Sequence, residues 1–421
     1  MKHTSKRGWI VWAVAALFYL YEMILRVSPS VMTHQLMETF SVSSTMLGVL
    51  VSFYYYSYNA LQIPCGIIVD KFGPRAIITV SSLMCTAGAF LFCFSDSLIL
   101  AQFSRFIMGA GSACAFLSTL KLTATWFVPA QFALVTGLTV MMGKLGGASQ
   151  SLMSRGVAAN GWQTTVFTLG VIGIVVTILC WFLIKDKPDE VEKSVSVDDI
   201  PQEKFDLKTV LRNKSVWIVG VVGGLMYIPI TGFAELWAVP YMMTVCDIDN
   251  RLASDISALL YFGFALGSPL FAVISRKLNC HLSAMKLSSL CAMFIFGYIC
   301  FFPEQITLNG MRALFFIGGM SMAGQVLCFS VAKEHTDISV GGTTIGFTNT
   351  LVMFSGLIFQ PLIGKILDWG WEGTLSETGI RIYSKAAYQT AAIAIPVGMF
   401  LCLFLLQLLK NRKTAAAAAG L

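Results

Sequence analysis

Long apolar runs recur along the whole chain with only short polar breaks between them. A transmembrane helix takes about 20 mostly apolar residues. Twelve stretches meet that measure, near 9–33, 44–69, 76–95, 98–121, 131–154, 163–184, 215–243, 253–275, 283–302, 307–332, 341–367 and 386–409. Unpaired backbone N–H and C=O groups are costly in hydrocarbon, so these runs are expected to be helices rather than isolated strands. The longest polar interval, 185–214, is rich in Asp, Glu and Lys and divides the runs six and six. The expected fold is an all-α membrane protein, twelve transmembrane helices in two pseudo-symmetric six-helix halves. Its parts are an N-terminal half at 1–184, a cytoplasmic linker at 185–214, a C-terminal half at 215–410 and a tail at 411–421. The AAAAAGL ending of that tail reads as partly vector-derived.

Composition agrees with this pattern. Of 421 residues, 56 % are hydrophobic and only 12 % charged, against about 25 % charged in soluble domains. Lys and Arg outside the spans set orientation. With both termini in the cytoplasm, 18 of them fall inside and five outside (Arg155, Arg251, Lys365, Arg381, Lys385). The formal charge of +7 is thus largely a topology signal, and no basic stripe interleaved with aromatics suggests nucleic acid. The first apolar run carries Glu22 and Arg26 and has no small-residue cleavage site, so it is expected to stay as a helix. The 11 cysteines lie mostly within the runs at no metal-ligand spacing, and read as small apolar packers rather than disulfides or ligands. No metal or other cofactor is expected.

The two halves repeat one another. SRFIMGAGSA at 104–113 parallels MRALFFIGGM at 311–320, each with an Arg six residues before a Gly. Further on, GGASQSLMSRGVAANGWQTT at 146–165 parallels GLIFQPLIGKILDWGW at 356–371 followed by YQT at 388–390. Two matches in the same order argue for duplication, and such repeats place a substrate near the bilayer midplane between the halves.

Residues 66–75 read GIIVDKFGPR between two apolar runs. Gly66, Asp70, Lys71, Gly73 and Arg75 closely resemble the loop between helices 2 and 3 of major facilitator superfamily transporters. The resemblance implies a gating loop whose Asp pairs with neighbouring helix ends in one conformation and releases them in another. Arg105, Gly109 and Gly111 are similar to the family's helix-4 element, and Arg105 joins the gating set. The glycines at 137, 143, 146 and 147 resemble the family's antiporter helix 5 but lack the proline that follows there. The second copy of the loop is eroded to SPLFAVISRKLN, keeping Arg276 and Lys277. YEMILRVSPS in the first run is loosely similar to the organic anion branch, with Tyr21, Arg26 and Ser28 fitting but Leu25 where that branch has an acid.

Ionisable residues inside a membrane are functional-site candidates because burying an unpaired ion costs several kcal/mol. Glu22 and Arg26 stand four apart on one helical face and can pair. Such a pair could simply neutralise itself. Lys144 has no obvious partner on its own helix, and two cations facing one carboxylate would suit an anionic substrate. Substrate contacts are therefore expected at Arg26, Lys144 and Glu22, with Tyr55, Asn59, Asn349 and Gln360 from polar stripes on helices 2 and 11. Glu235 follows Tyr227 and Thr231 at four-residue steps with no cation on its face. It is the favoured proton carrier, with Glu22 second. Gly223, Gly224, Pro229, Gly232 and Pro240 predict a bent helix 7.

No HExxH, GxSxG or phosphate-binding loop is present, and the histidines (His3, His34, His281, His335) lie at run ends or in loops, so an enzyme is not expected. The expected function is secondary active transport of a small organic anion by alternating access, as proton symport. Alternatives are a proton-coupled amino acid or peptide transporter and an exporter of an amphiphilic compound. The expected partners are the small molecule, the proton and membrane lipid. A monomer in a bacterial inner membrane is the expected setting.

Overall fold

The computed structural model describes residues 6–188, 206–337 and 340–409. Most of the expected linker and all of the expected 411–421 tail lie outside the described residues. The spanning helices are α1 (Lys6–Val27), α2 (Ser44–Phe72), α3 (Pro74–Cys93), α4 (Leu98–Trp126) and α5 (Pro129–Gly147, continued to residue 160). α6 covers 162–183, and α7 is Lys214–Ile228 followed by a π-turn at Pro229–Ala234 and a second segment, Ala238–Cys246. They continue with α8 (Asn250–Lys277), α9 (His281–Phe301), α10 (Leu308–Glu334), α11 (Gly341–Trp369) and α12 (Lys385–Gln407).

Among the described residues, ten helices are long and apolar enough to cross a membrane, or up to 11 with a bent pair, Thr33–Phe40 and Ser44–Phe72, counted as one. One of the ten, Leu134–Leu183, runs for 50 residues, and Gly161 interrupts it at φ 80°. Only glycine adopts that left-handed backbone freely, so Gly161 divides α5 from α6 and the crossings total twelve. α5 thus ends later than the expected residue 154. The expected bend in helix 7 is a full break, since Pro229 offers no N–H and the backbone shifts to π register through Ala234.

The chain forms two compact units: residues 1–40 with 50–201, and residues 41–49 with 202–421. Glycines set the closest approaches inside each. A Cβ on Gly109 of α4 would lie 1.9 Å from the Tyr54 carbonyl oxygen of α2, and one on Gly319 of α10 would lie 2.2 Å from that of Leu260 on α8. Both glycines fall within the two decapeptides, though not at aligned positions.

In the second unit the start of α2 is held against α11. Thr45 donates its backbone N–H (2.9 Å) and its hydroxyl to Asp368, while Tyr383 and Arg381 donate to the other oxygen of that carboxylate. The Ser44 N–H donates to the Tyr383 hydroxyl at 3.2 Å. Burial, together with the bond to Asp368, pushes the Tyr383 phenol up to about 12, so it stays a donor at neutral pH.

One expectation about cysteine fails. Cys65 of α2 and Cys114 in the middle of α4 form a disulfide, with Cα atoms 5.6 Å apart. Their separation of 49 residues gave no hint of it. The close α2–α4 packing at Gly109 brings these two backbones within disulfide reach.

Candidate functional site

The first unit holds a buried ionic cluster built around the end of α1. Pro29 starts a short 3-10 turn at Ser28–Val31. Lacking an N–H, it cannot bond the carbonyl of Leu25 four residues earlier. The Leu25 oxygen instead accepts from the Ser28 hydroxyl at 2.9 Å and from Arg105 Nη1 of α4 at 2.8 Å, and the Arg26 carbonyl accepts from Arg105 Nη2 at 3.2 Å. Arg105 is fully buried and its guanidinium lies 5.1 Å from the Tyr54 ring centre. Its contacts here fasten α4 to the end of α1.

The end of α1 so fixed carries Glu22 and Arg26, 0 % and 3 % exposed. Arg26 Nη2 reaches both Glu22 oxygens, at 3.2 and 3.4 Å, and Arg26 Nε donates to the Tyr54 hydroxyl at 3.1 Å. That hydroxyl in turn donates to Glu22 Oε2 at 2.8 Å, closing a ring of three side chains. Tyr58 covers the guanidinium, with its ring centre 4.9 Å away. One side edge of the guanidinium is thus spent on Tyr54 and Glu22, and Nη1 makes no hydrogen bond among the described residues.

α5 meets α1 just beside this ring. A Cβ on Gly146 would lie 2.5 Å from the Leu20 carbonyl oxygen, and one on Gly143 would strike the Tyr19 ring. Lys144 stands between those glycines and is 8 % exposed. On α2, Tyr55 is buried edge-on to Tyr54, ring centres 5.5 Å apart. Asn59, one turn further, is 6 % exposed and neither of its amide atoms is hydrogen-bonded among the described residues.

The charged loop after α2 is tied at several points within the same unit. Asp70 pairs with Lys121 of α4 at 2.5 Å, and Lys121 also donates to the Val69 carbonyl. Gly73, at φ 79°, precedes the first residue of α3, where Asp186 accepts the Arg75 N–H at 2.7 Å. A Cβ on Gly73 would meet that carboxylate. The Arg75 guanidinium donates to the Trp181 carbonyl and stacks 4.7 Å from its ring centre. Lys71 lies over Phe72, and Gly66 faces Leu117 of α4. Asp186 and Lys121 are the partners that sequence reading did not assign, because both are remote in sequence from the loop they hold.

In the second unit the polar residues gather at the break in α7. Glu235 N bonds the Ile230 carbonyl, five residues back. This releases the Thr231 carbonyl from the α-helical pattern, and Gln360 Nε2 of α11 donates to it at 2.8 Å. The Gln360 carbonyl accepts from the Trp237 indole at 2.9 Å, and Thr231 and Ser355 hydroxyls meet at 2.6 Å. Glu235 is fully buried here. Asn349, nearer the start of α11, is half-buried.

The sequence model of the Major Facilitator Superfamily matches residues 11–361. The chain belongs to the Major Facilitator Superfamily. It is a multi-pass membrane transporter, not an enzyme. Relatives include the probable sulfoacetate transporter SauU of Cupriavidus necator, 24 % identical over 87 % of this chain and 89 % of that protein. The hexuronate transporter of Bacillus subtilis is 23 % identical over 85 % and 86 %. Among solved structures, a bacterial homologue of the human lysosomal transporter Spinster, inward-facing and unoccupied, matches with a TM-score of 0.77 at 16 % identity over 96 % of both chains. That likeness concerns the fold.

For this superfamily member the expected site residues thus fall into three groups. Glu22 and Arg26 share one bonded ring with Tyr54 and Tyr58, which the sequence stripe did not include. Glu235 and Gln360 are brought to one helix break. Gly66, Asp70, Lys71, Gly73 and Arg75 stay together in the loop. Tyr54 follows Tyr55 directly, so the aromatic run YYYSY at 54–58 was the available signal.

Proposed function

We propose that this transporter moves a small organic anion as a proton symporter, by alternating access, with Arg26 as the principal anion contact. The observation that carries this reading is the Arg26 ring. Glu22 and Tyr54 hold one edge of the guanidinium, and Tyr58 covers a face. A guanidinium so fixed is prepaid in entropy, and its planar fork suits a carboxylate or sulfonate. Nη1 is the nitrogen left to bind it. Asn59, whose amide has no partner among the described residues, offers one donor and one acceptor to a hydroxylated anion, and Lys144 a second positive charge. Relatives named for sulfoacetate and hexuronate transport fit an anionic substrate. The loop from Gly66 to Arg75 serves as a gate on this reading, with the Asp70–Lys121 pair as its closed contact.

Thermal stabilisation of the purified protein against panels of organic anions, zwitterions and lipophilic cations tests the substrate class. A ligand at about 100 times its dissociation constant adds about 2.7 kcal/mol. Stabilisation by sulfoacetate or a hexuronate, lost in Arg26→Gln, is the expected result. Stabilisation by zwitterions or cations alone would overturn the anion reading. Uptake into liposomes that ignores an imposed pH gradient would remove the proton.

A further inference from the structure

We propose that the loop joining α11 to α12 is a strap that latches the start of α2 onto α11 through Asp368, and that this latch opens during transport. Its opening rests on the alternating access read above. All the residues involved belong to the second unit.

The strap is a built hairpin. Leu375 and Arg381 pair as an antiparallel bridge, with the Ser376 N–H on the Ile380 carbonyl at 2.8 Å and the Ile382 N–H on the Thr374 carbonyl at 3.0 Å. The Trp371 indole donates to the Thr374 carbonyl, and the Arg381 guanidinium lies 4.5 Å from the Trp371 ring centre. Arg381 and Tyr383 are thus brought to Asp368 with little freedom left to lose.

Asp368, in the last turn of α11, receives donors from two directions. Arg381 and Tyr383 come from the strap, and the Thr45 N–H and hydroxyl come from α2. The Tyr383 oxygen gives its proton to Asp368 and accepts the Ser44 N–H. The first N–H groups of a helix have no acceptor within it. Asp368 and Tyr383 therefore meet a need that α2 cannot meet itself, and a carboxylate suits that positive helix end. Beside these bonds the two backbones touch at glycines. A Cβ on Gly48 would lie 2.6 Å from the Gln360 carbonyl oxygen, and one on Gly364 would strike that of Ser44. Backbones meeting at glycines can part without dragging side chains past one another.

The course of the chain gives the contact its purpose. It passes into the second unit at residue 41 and returns to the first at residue 50, within α2. That helix is continuous from Ser44 to Phe72, and its one proline, Pro64, lies well beyond the crossing point. Helices bend sharply at prolines, so with none at the crossing a rearrangement of the units lifts residues 44–49 off α11. The latch is suited to opening. The Asp368 and Arg381 side chains are 12 % and 38 % exposed, so water can replace each bond as it breaks. The Glu22 and Arg26 side chains, 1 % and 3 % exposed, have no such recourse.

Maleimide labelling of Ser44→Cys, read by mass spectrometry of the peptide that carries position 44, tests the latch without any substrate. The substitution keeps the backbone N–H that bonds Tyr383, and the position is fully buried. Slow labelling is expected in the otherwise unchanged protein. Asp368→Asn, which sets a donor against Thr45 and gives up the Arg381 pair, is expected to quicken it about tenfold or more, and Tyr383→Phe by a smaller factor. If Asp368→Asn does not fold, Arg381→Gln, which keeps the carboxylate, is expected to act in the same direction. The buried Cys328 and Cys402 of the same unit are expected to label as before. A rate unmoved at position 44, or one that rises equally at Cys328 and Cys402, would overturn the latch. Opening is scored separately, by uptake of radiolabelled sulfoacetate into liposomes holding Thr45→Cys with Asp368→Cys, oxidised with copper phenanthroline. Uptake is expected to stop on oxidation and return with reductant, while the parent treated alike keeps its uptake. Uptake that persists in the oxidised protein refutes alternating access through this contact and keeps the latch. Uptake that stops, with labelling unmoved, refutes the latch and keeps alternating access.

Discussion

Glu22 and Glu235 are both fully buried carboxylates, one in each unit, and their surroundings differ in kind. Glu22 is clamped by Arg26 and Tyr54, so its charge is matched by a cation on its own helix. Glu235 sits at the break in α7, where Gln360 Nε2 donates to the Thr231 carbonyl and the Thr231 and Ser355 hydroxyls meet. A carboxylate beside a bonded cation gains little from taking up a proton and would strand that cation by doing so. On the symport proposed above, charge pairing would fall to the first unit and proton exchange to the second.

The sharpest way to break this comparison is to remove the cation. Arg26→Ala leaves Glu22 buried and unpaired, and losing one member of a buried pair costs about 3–5 kcal/mol. A large fall in Tm is expected. The double variant Glu22→Gln with Arg26→Gln is expected to recover much of it, yet not the stabilisation by organic anions. If the double variant bound anions normally, Arg26 would be structural only.

A smaller loss is expected at Arg105. Arg105→Met gives up two charge-assisted bonds to the Leu25 and Arg26 carbonyls, each worth about 1.5–3 kcal/mol. Its repeat counterpart Arg312 is exposed and, among the described residues, bonds only Asn309, so Arg312→Met is expected to stay within about 0.5 kcal/mol of the parent. Equal effects would mean that the two repeats use their arginines alike. Tyr54→Phe comes next, at about 0.5–1.5 kcal/mol, since one hydroxyl closes the ring between Glu22 and Arg26. Its signature is weaker anion stabilisation from a guanidinium less firmly held, read from the ligand-induced shift in Tm.

The same arginines show how much was legible in advance. Helix number and the all-helical class were readable, because bilayer thickness and backbone satisfaction impose length and composition on every span. The pairing of Glu22 with Arg26 followed from helical spacing. What escaped were contacts between segments remote in sequence: Asp186 holding the start of α3, Lys121 reaching Asp70, and the Cys65–Cys114 bridge. Each depends on which helix faces which, and apolar periodicity says little of that when every neighbour is apolar. The buried setting of Arg105 was hidden for a related reason. Its cause is the missing N–H of Pro29, visible in the sequence, but the arginine that answers it lies on another helix.

The smallest stability effect is expected at Glu235, and that smallness is itself the test of the comparison. Glu235→Gln replaces a carboxyl by a neutral group of the same shape. Were Glu235 the matched half of a buried ion pair, as Glu22 is, the substitution would strand a charge and cost several kcal/mol. If Glu235 carries the exchangeable proton, it is expected to change Tm little, because Gln mimics the protonated carboxyl in shape and in having both a donor and an acceptor. Function should separate where stability does not. Exchange of labelled for unlabelled anion across liposomes requires no net proton movement and is expected to persist. Accumulation against a gradient needs the proton to load and leave, and is expected to vanish. A variant with a large drop in Tm, or one still accumulating anion under a pH gradient, would show that the two carboxylates are alike after all.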